Sequence, residues 1–199
     1  DALKRLEQVR KENLSAEDVD ALFFYRGYAY VDRKKYEEAS YEFGNLLKPN
    51  SEKYRVPAHC YYGYCQYRLE NYSVALENIL VAENDPNFKE ETPLLLCRLY
   101  FLLDNCEKST QYAEKIIASG DVKKEKAEVY KILAVCKFNN KEYAKTIELL
   151  EKHQKLSKKM TREDWYVLGM SYYNTEKYDK AVKTLAKSTS EKDKLGQNS

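Results

Sequence analysis

The sequence predicts an all-α protein in which one leading helix is followed by about five helical hairpins. Helix-breaking residues are scarce, because the 199 residues include only 4 prolines and 6 glycines. Charged residues make up 33% of the chain, a share typical of helices with one solvated face. A pattern of small and bulky residues recurs at intervals of about 35 residues, which is typical of helical-hairpin repeats.

The leading helix is predicted over residues 1–15. In "ALKRLEQVRKEN", Leu3, Leu6 and Val9 are spaced so that they share one face of a helix. We interpret this helix as a cap, or as the second helix of a preceding hairpin. The following "SAED", which begins at Ser15, indicates a new helix start with an acidic first turn.

Five copies of one pattern follow the leading helix, and together with it they are predicted to form a single array over residues 1–195. Three copies place a glycine nine residues before a tyrosine and twelve before an alanine. They are Gly27, Tyr36 and Ala39; Gly63, Tyr72 and Ala75; and Gly169, Tyr178 and Ala181. The middle copies keep small residues there, with Cys97 and Ser109 in one and Ala134 and Thr146 in the other. We therefore place the repeats at residues 20–55, 56–89, 90–126, 127–161 and 162–195.

The last copy explains why this pattern forms a hairpin. Trp165, Leu168 and Tyr172 lie three and four residues apart, so they share the face of the first helix that packs on the second. Gly169 lies beside them, and its small size allows the second helix to approach closely. Tyr178 opens the second helix, and we expect its ring to fill the gap near the turn.

These residues resemble the tetratricopeptide-repeat (TPR) family, whose motif has a large aromatic, a Leu-Gly pair, a tyrosine, a small residue and a bulky residue at these spacings. The last copy matches nearly throughout, and the resemblance covers about residues 20 to 195. Arg26 departs from the motif's leucine, while Pro93 and Ala113 depart from its bulky residues in the third copy. The resemblance implies a right-handed α-α superhelix whose inner wall is formed by the first helix of each hairpin.

The resemblance also implies a non-catalytic scaffold for protein-protein interaction. Carried over by register, the partner-binding residues of the inner wall are Phe24, Tyr28, Tyr64, Tyr67, Arg68, Arg98, Phe101, Lys131, Phe138, Tyr166 and Tyr173. Tyrosine provides large contact area at low entropic cost, and arginine can bind a carboxylate or stack on a ring. We therefore expect a peptide or protein segment as partner, and an acidic group on it would suit the arginines. An alternative for each aromatic residue is that it bridges adjacent repeats.

One well-known variety of the family binds the C-terminal tail of a chaperone through a carboxylate clamp of lysine and asparagine. Phe24 and Tyr28 occupy the corresponding places in the first copy, and Cys60 and Tyr64 occupy them in the second. The clamp residues are therefore absent, and we do not expect chaperone-tail binding.

A weaker likeness concerns the tyrosine-rich copies. The stretch "YYGYCQYRLENYSVAL", followed by "NDPNF", resembles the N-terminal repeats of long multi-TPR proteins of Bacteroidetes. That likeness implies a periplasmic or secreted protein. The cysteines favour a reducing, cytoplasmic environment instead, so the compartment stays open at this point.

The five cysteines are expected to be small buried packing residues. They are Cys60, Cys65, Cys97, Cys106 and Cys136, and they form neither a CxxC motif nor a Cys/His ligand spacing. A disulfide framework is the less favoured alternative, because a helical-repeat chain of this size does not need one.

Catalytic and cofactor chemistry has little support in the sequence. His59 and His153 are the only histidines, neither has a cluster of potential ligands around it, and we expect His59 to have a packing role. Neither a phosphate-binding glycine loop nor a GxSxG motif occurs. We therefore expect no enzyme activity, no cofactor and no metal.

The charge balance and hydropathy argue against two other classes of partner. The net charge is only +2, from 34 basic and 32 acidic residues, which disfavours nucleic acid. No apolar run of about 18 residues occurs, so we expect no membrane insertion.

The C-terminal end suggests two alternative functions. Residues 196–199 are expected to begin a further helix of a longer chain, which would leave the apolar edge of the last repeat uncovered. The chain could then self-associate through that exposed repeat, or serve as an accessory domain of a protein whose activity lies elsewhere.

Overall fold

The computed structural model describes residues 2–118, 123–157 and 159–189. Regular structure in these ranges is helical and includes no strand, which confirms the predicted all-α class. The chain divides into two compact units, unit 1 at residues 1–103 and unit 2 at residues 104–199. The division falls within the third predicted repeat, so the single array stays a prediction. The expected helix start at 196–199 lies outside the described residues.

Unit 1 contains six α-helices among its described residues. They are α1 Ala2–Glu7, α2 Ala16–Asp32, α3 Tyr36–Gly44, α4 Arg55–Arg68, α5 Tyr72–Ala82 and α6 Thr92–Leu102. Short 3-10 turns occur at Lys11–Asn13 and Glu52–Tyr54. Each helix packs on the next along the chain, so α2 with α3 and α4 with α5 form two of the predicted hairpins.

The leading helix is shorter than predicted. It ends at Glu7, where the carboxylate accepts a hydrogen bond of 2.9 Å from the Tyr30 hydroxyl. Leu3 is buried but Val9 is exposed, so continuing the helix would bury little more apolar surface. The next helix start is as predicted, since Ser15 caps α2 and its Oγ accepts the Asp18 N–H.

Unit 2 contains five α-helices among its described residues. They are α7 Cys106–Ala118, α8 Lys123–Asn139, α9 Tyr143–Ser157, α10 Arg162–Asn174 and α11 Tyr178–Leu185. Each packs on the next, and α8 with α9 and α10 with α11 form two more hairpins. Thr161 begins α10 through a capping box with Asp164, in which each side chain bonds the other's backbone N–H.

Glycines in the first helices permit close approach of the second helices, as predicted. In each case the glycine faces a bulky side chain of its partner helix. The pairs are Gly27 with Phe43, Gly63 with Ile79, and Gly169 with Leu185. A Cβ at Gly169 would lie only 2.6 Å from Leu185 Cγ, so even alanine would require Leu185 or its helix to shift. Tyr178 differs from its prediction, since its ring is 56% exposed rather than filling a gap.

A residue with a left-handed backbone conformation lies two positions before each of the helices α3, α5, α7, α9 and α11. The five such residues are Lys34, Glu70, Asp104, Lys141 and Glu176, with φ between 58° and 63°. At the first turn the Lys35 N–H donates to the Tyr30 carbonyl at 2.9 Å, and the Lys34 N–H donates to the Val31 carbonyl at 2.8 Å. This bond pair is a Schellman motif, which usually places glycine at the left-handed position.

The cysteine prediction is wrong for one pair. Cys106 and Cys136 form a disulfide that joins the start of α7 to α8, with their Cα atoms 5.5 Å apart. The other three cysteines are outside any disulfide, and of these Cys65 and Cys97 are buried and Cys60 is half-buried. Thirty residues separate the bonded pair, and only the packing of α7 on α8 brings them together.

Candidate functional site

An open pocket of about 530 Å³ in unit 1 contains three of the predicted partner-binding residues, Tyr28, Tyr64 and Arg98. These residues come from α2, α4 and α6, which hold the first-helix positions of the repeat. The remaining lining residues are Val31, Asp32, Cys60, Tyr61, Ile79, Phe88, Glu91, Thr92, Leu94 and Leu95. Three consecutive first helices therefore contribute to one concavity.

Aromatic rings form a wall of this pocket, with Tyr61 at its centre. The Tyr61 ring stacks on buried Phe43, with centroids 5.4 Å apart. It meets Tyr28 at 5.6 Å and Phe88 at 6.1 Å, in both cases with an interplanar angle of 89°. The core thus fixes the central ring, while Tyr28 remains 52% exposed at the pocket edge.

Two carboxylates lie on the pocket lining, at Asp32 and Glu91. Both side chains are exposed, and within the described part of the chain neither has an ion-pair partner. Burial, together with the nearby Glu91 and Asp85 charges, raises the pKa of the Cys60 thiol to about 12. The Cys60 thiol is therefore protonated and unreactive, and the Glu91 carboxylate is one of the groups that keep it so.

The Tyr61 hydroxyl experiences the same environment. Burial raises its pKa, and the nearby Tyr28, Cys60 and Glu91 add to this effect. Glu91 thus acts on two groups of the lining, and its field disfavours negative charge in the pocket.

The other unit 1 candidates lie outside the pocket lining. Arg68 Nη1 donates to the Tyr64 hydroxyl at 3.1 Å, and its guanidinium lies 4.4 Å from the Tyr36 ring centroid. Tyr67 contacts the Tyr72 ring at 6.2 Å. Arg68 is therefore already engaged by two tyrosines.

Phe24 and Phe101 are both half-buried. The Phe24 ring on α2 contacts the rings of Phe43, Tyr54 and Tyr61 at 5.4 to 5.9 Å. This arrangement matches the alternative in which an aromatic residue bridges adjacent repeats. Phe101 lies on α6, outside the pocket lining.

The four candidates of unit 2 make mostly local contacts. Lys131 Nζ lies 2.9 Å from buried Asp164 Oδ1, so this cation links α8 to α10. Phe138 contacts Tyr143 at 5.7 Å, and Tyr173 contacts Tyr178 at 5.8 Å, in each case across the turn of a hairpin. Tyr166 is half-buried on α10. Among these four, only Lys131 lines the described recess of about 520 Å³.

That recess contains His153, Ser157 and Asp164, the residue types of a hydrolytic triad. His153 Nδ1 contacts the Ala127 carbonyl at 2.7 Å, while Nε2 lies 3.4 Å from Ser157 Oγ and 3.7 Å from Asp164 Oδ2. One ring nitrogen therefore faces both serine and aspartate, whereas a triad uses opposite nitrogens. The arrangement instead links α8, α9 and α10.

Electrostatics strengthens this link. The Asp164 carboxylate raises the pKa of His153 in spite of burial. Burial alone would raise the pKa of Asp164, but His153, Lys131 and the Thr161 N–H together hold it well below its usual range. Asp164 is thus ionised and fully partnered inside unit 2.

The residues of the unit 1 pocket that sequence reasoning missed include Asp32, Tyr61, Phe88 and Glu91. Tyr61 lies three residues before Tyr64 on α4, so helical spacing could have identified it. Phe88 lies in the loop after α5, where no periodicity applies. Glu91 is the N-cap residue of α6, a position that the sequence pattern does not connect with the pocket.

No helix within the described ranges is long and apolar enough to cross a bilayer. The same residues provide no group of three or more His, Cys, Asp or Glu side chains placed to hold a metal ion.

Comparisons with known proteins support the repeat assignment. A family model described as anaphase-promoting complex, cyclosome, subunit 3 matches residues 103–188. No curated protein matches the chain at a significant level.

Similar solved structures include YrrB, described as a TPR protein with an unusual peptide-binding site. It is 14% identical with a TM-score of 0.72, over 100% of this chain and 97% of that one. A MamA crystal structure is 17% identical with a TM-score of 0.70, over 86% and 91% of the two chains. MamA from Desulfovibrio magneticus RS-1 is 15% identical with a TM-score of 0.69, over 87% and 95%. At these identities the likeness establishes the fold.

Proposed function

We propose that this chain, a tetratricopeptide-repeat protein by its fold and repeat register, is a non-catalytic scaffold that binds a peptide or protein segment in the unit 1 pocket. The observation that carries the proposal is the convergence of α2, α4 and α6 on one aromatic concavity. The similar fold of YrrB, whose description includes a peptide-binding site, supports the same class of partner.

The pocket has the physical features of a recognition site for a side chain. Its volume of about 530 Å³ lies within the usual range for ligand pockets. Tyr28 presents an exposed ring and a hydroxyl that makes no hydrogen bond to another described residue. Such a ring can bury apolar area and bond a peptide backbone at low entropic cost.

A selection from displayed random peptides tests this function. The wild-type protein serves as bait, and the affinities of selected peptides are measured by fluorescence anisotropy. We expect Tyr28→Ala to weaken binding about tenfold or more, because it removes an exposed wall of the pocket. Tyr41→Ala is the matched control, since that tyrosine is 68% exposed on α3 and lies outside the pocket.

Circular dichroism establishes that both variants are folded. Equal loss of affinity in the two variants, or failure of the wild type to select any peptide, would contradict the proposed function.

Self-association is a second candidate, favoured by one observation in unit 2. Val182 on α11 is 71% exposed. Tyr173 and Tyr178 lie on either side of the turn between α10 and α11, and each is more than half exposed. Such apolar exposure is typical of an interaction surface. Sedimentation across a concentration series should show a mass increase that Val182→Glu abolishes and Val81→Glu, on α5 of unit 1, leaves intact. A constant monomer mass would exclude this candidate.

A further inference from the structure

We propose that the unit 1 pocket receives a basic side chain, lysine or arginine, from the bound segment. This inference rests on the proposed function, because it specifies which chemical group of the segment enters the pocket. The aromatic wall and the two carboxylates support it from independent observations.

The aromatic wall suits a cation. Tyr61 lies nearly at right angles to both Tyr28 and Phe88, so the rings on the pocket lining do not form one flat stack. A lysine or arginine near such ring faces is attracted by their quadrupoles, and its aliphatic stem packs on the same surface. Leu94 and Leu95 extend that apolar surface along α6.

The carboxylates supply the complementary charge. Asp32 is the last residue of α2, where the helix dipole adds to its negative charge. Glu91 lies at the N-terminus of α6, so it offsets the positive end of that dipole. Since neither carboxylate is neutralised by an ion pair within the described residues, both are open to a cation from the partner.

Among the described residues of the lining, Arg98 is the one cation against two carboxylates, so their formal charges sum to −1. An acidic side chain entering the pocket would meet like charge from Asp32 and Glu91. Arg68, which the sequence offered as a carboxylate ligand, is instead engaged by Tyr36 and Tyr64. The sequence alone favoured an acidic group on the partner, whereas the charges of the pocket favour a basic one.

The peptide selection described above provides the first test, through the composition of the peptides. We expect enrichment of Lys or Arg at one position in the peptides that Tyr28→Ala fails to bind. Peptides that bind the wild type but not Tyr28→Ala, and that contain no basic residue, would overturn this inference and leave the proposed function standing. The absence of any pocket-dependent peptide would overturn the proposed function itself.

A charge-neutralising pair of variants provides the second test. For a selected lysine peptide, Glu91→Gln should weaken binding about tenfold, whereas Glu90→Gln should change it less than about twofold. Glu90 is the matched control, because it is the adjacent exposed glutamate and does not line the pocket. Equal effects of the two variants would indicate general charge attraction and overturn the inference.

Replacing the peptide lysine with norleucine completes a double-mutant cycle. This change keeps the aliphatic stem and removes the charge. The norleucine peptide should bind wild type and Glu91→Gln with the same affinity, since the ionic contact is missing in both. A norleucine peptide that still responds to Glu91→Gln would show that Glu91 does not contact the cation.

Discussion

At the scale of single residues, Arg26 shows how a departure from the repeat motif is accommodated. Arg26 Nη2 lies 2.7 Å from Glu42 Oε1, and both side chains are largely buried between α2 and α3. Burial raises the pKa of Glu42 although Arg26 lowers it. Arg26 Nε and Glu42 Oε2 have no hydrogen-bond partner among the described residues, so the pair is incompletely satisfied.

Arg26→Leu alone should therefore destabilise unit 1 by about 3 kcal/mol, since it leaves Glu42 buried without its ion-pair partner. Arg26→Leu combined with Glu42→Leu should recover most of that loss, because well-packed apolar residues replace buried ion pairs at little cost. Urea unfolding of both variants measures the difference. A single variant as stable as wild type would show that Glu42 finds another partner.

The titration of His153 should make the stability of unit 2 depend on pH in a definite direction. Its pKa is raised in the folded state by Asp164, so protonated His153 stabilises unit 2 fully below its unfolded pKa of about 6.5. That stabilisation is lost as the pH rises through the higher, folded pKa. Urea unfolding followed by fluorescence of Trp165, the only tryptophan, should show lower stability at about pH 9 than at about pH 6.

His153→Gln is the control for this titration, because glutamine carries no titratable charge. The variant should be less stable than wild type at the lower pH and should show a smaller change between the two conditions. An undiminished pH change in His153→Gln would assign the titration to another group.

At the scale of elements, the turns of the hairpins hold non-glycine residues in a conformation that glycine adopts more readily. Glu70 has φ of 63° between α4 and α5, where a side chain costs about 1 kcal/mol. Glu70→Gly should therefore raise the free energy of unfolding by up to about 1 kcal/mol, reduced by the greater freedom of glycine in the unfolded chain. Thermal melts should show an upward shift, whereas Glu83→Gly at the C-cap of α5, with φ of −53°, should shift downward.

The sequence predicted the hairpins where packing is local to one repeat. The spacing of Gly27, Tyr36 and Ala39 follows from the contact of one helix with the next, so it is visible in the chain. Four of the five left-handed turn residues were not predictable from residue type, because they are lysine or glutamate, which do not favour that conformation. The repeat register itself forces their conformation.

Only residues that the first helices contribute to the candidate site were predicted from the sequence. Register along α2, α4 and α6 identified Tyr28, Tyr64 and Arg98, which do line one pocket. Phe88 and Glu91 reach the pocket from the segment between α5 and α6, whose course depends on tertiary packing. The charge of the pocket, and with it the expected partner, was therefore beyond sequence reasoning.

At the scale of the whole molecule, the disulfide bears on both stability and cellular environment. Proteins that keep a disulfide usually reside in an oxidising compartment. The Cys106–Cys136 bond thus favours the periplasmic or secreted location implied by the Bacteroidetes likeness over the reducing one inferred from cysteine usage. Its 30-residue separation allows it to restrict the unfolded chain considerably.

Reduction should accordingly lower the free energy of unfolding of unit 2 by about 2 to 4 kcal/mol. Trp165 lies in unit 2, so its fluorescence during urea unfolding, with and without reductant, measures this loss. The Cys106→Ser, Cys136→Ser double variant should resemble the reduced protein in both conditions, whereas Cys60→Ser should keep the wild-type response because Cys60 is a free thiol. A wild-type protein indifferent to reductant would mean that the bond does not form in solution, and it would restore the reducing compartment as the better supported location.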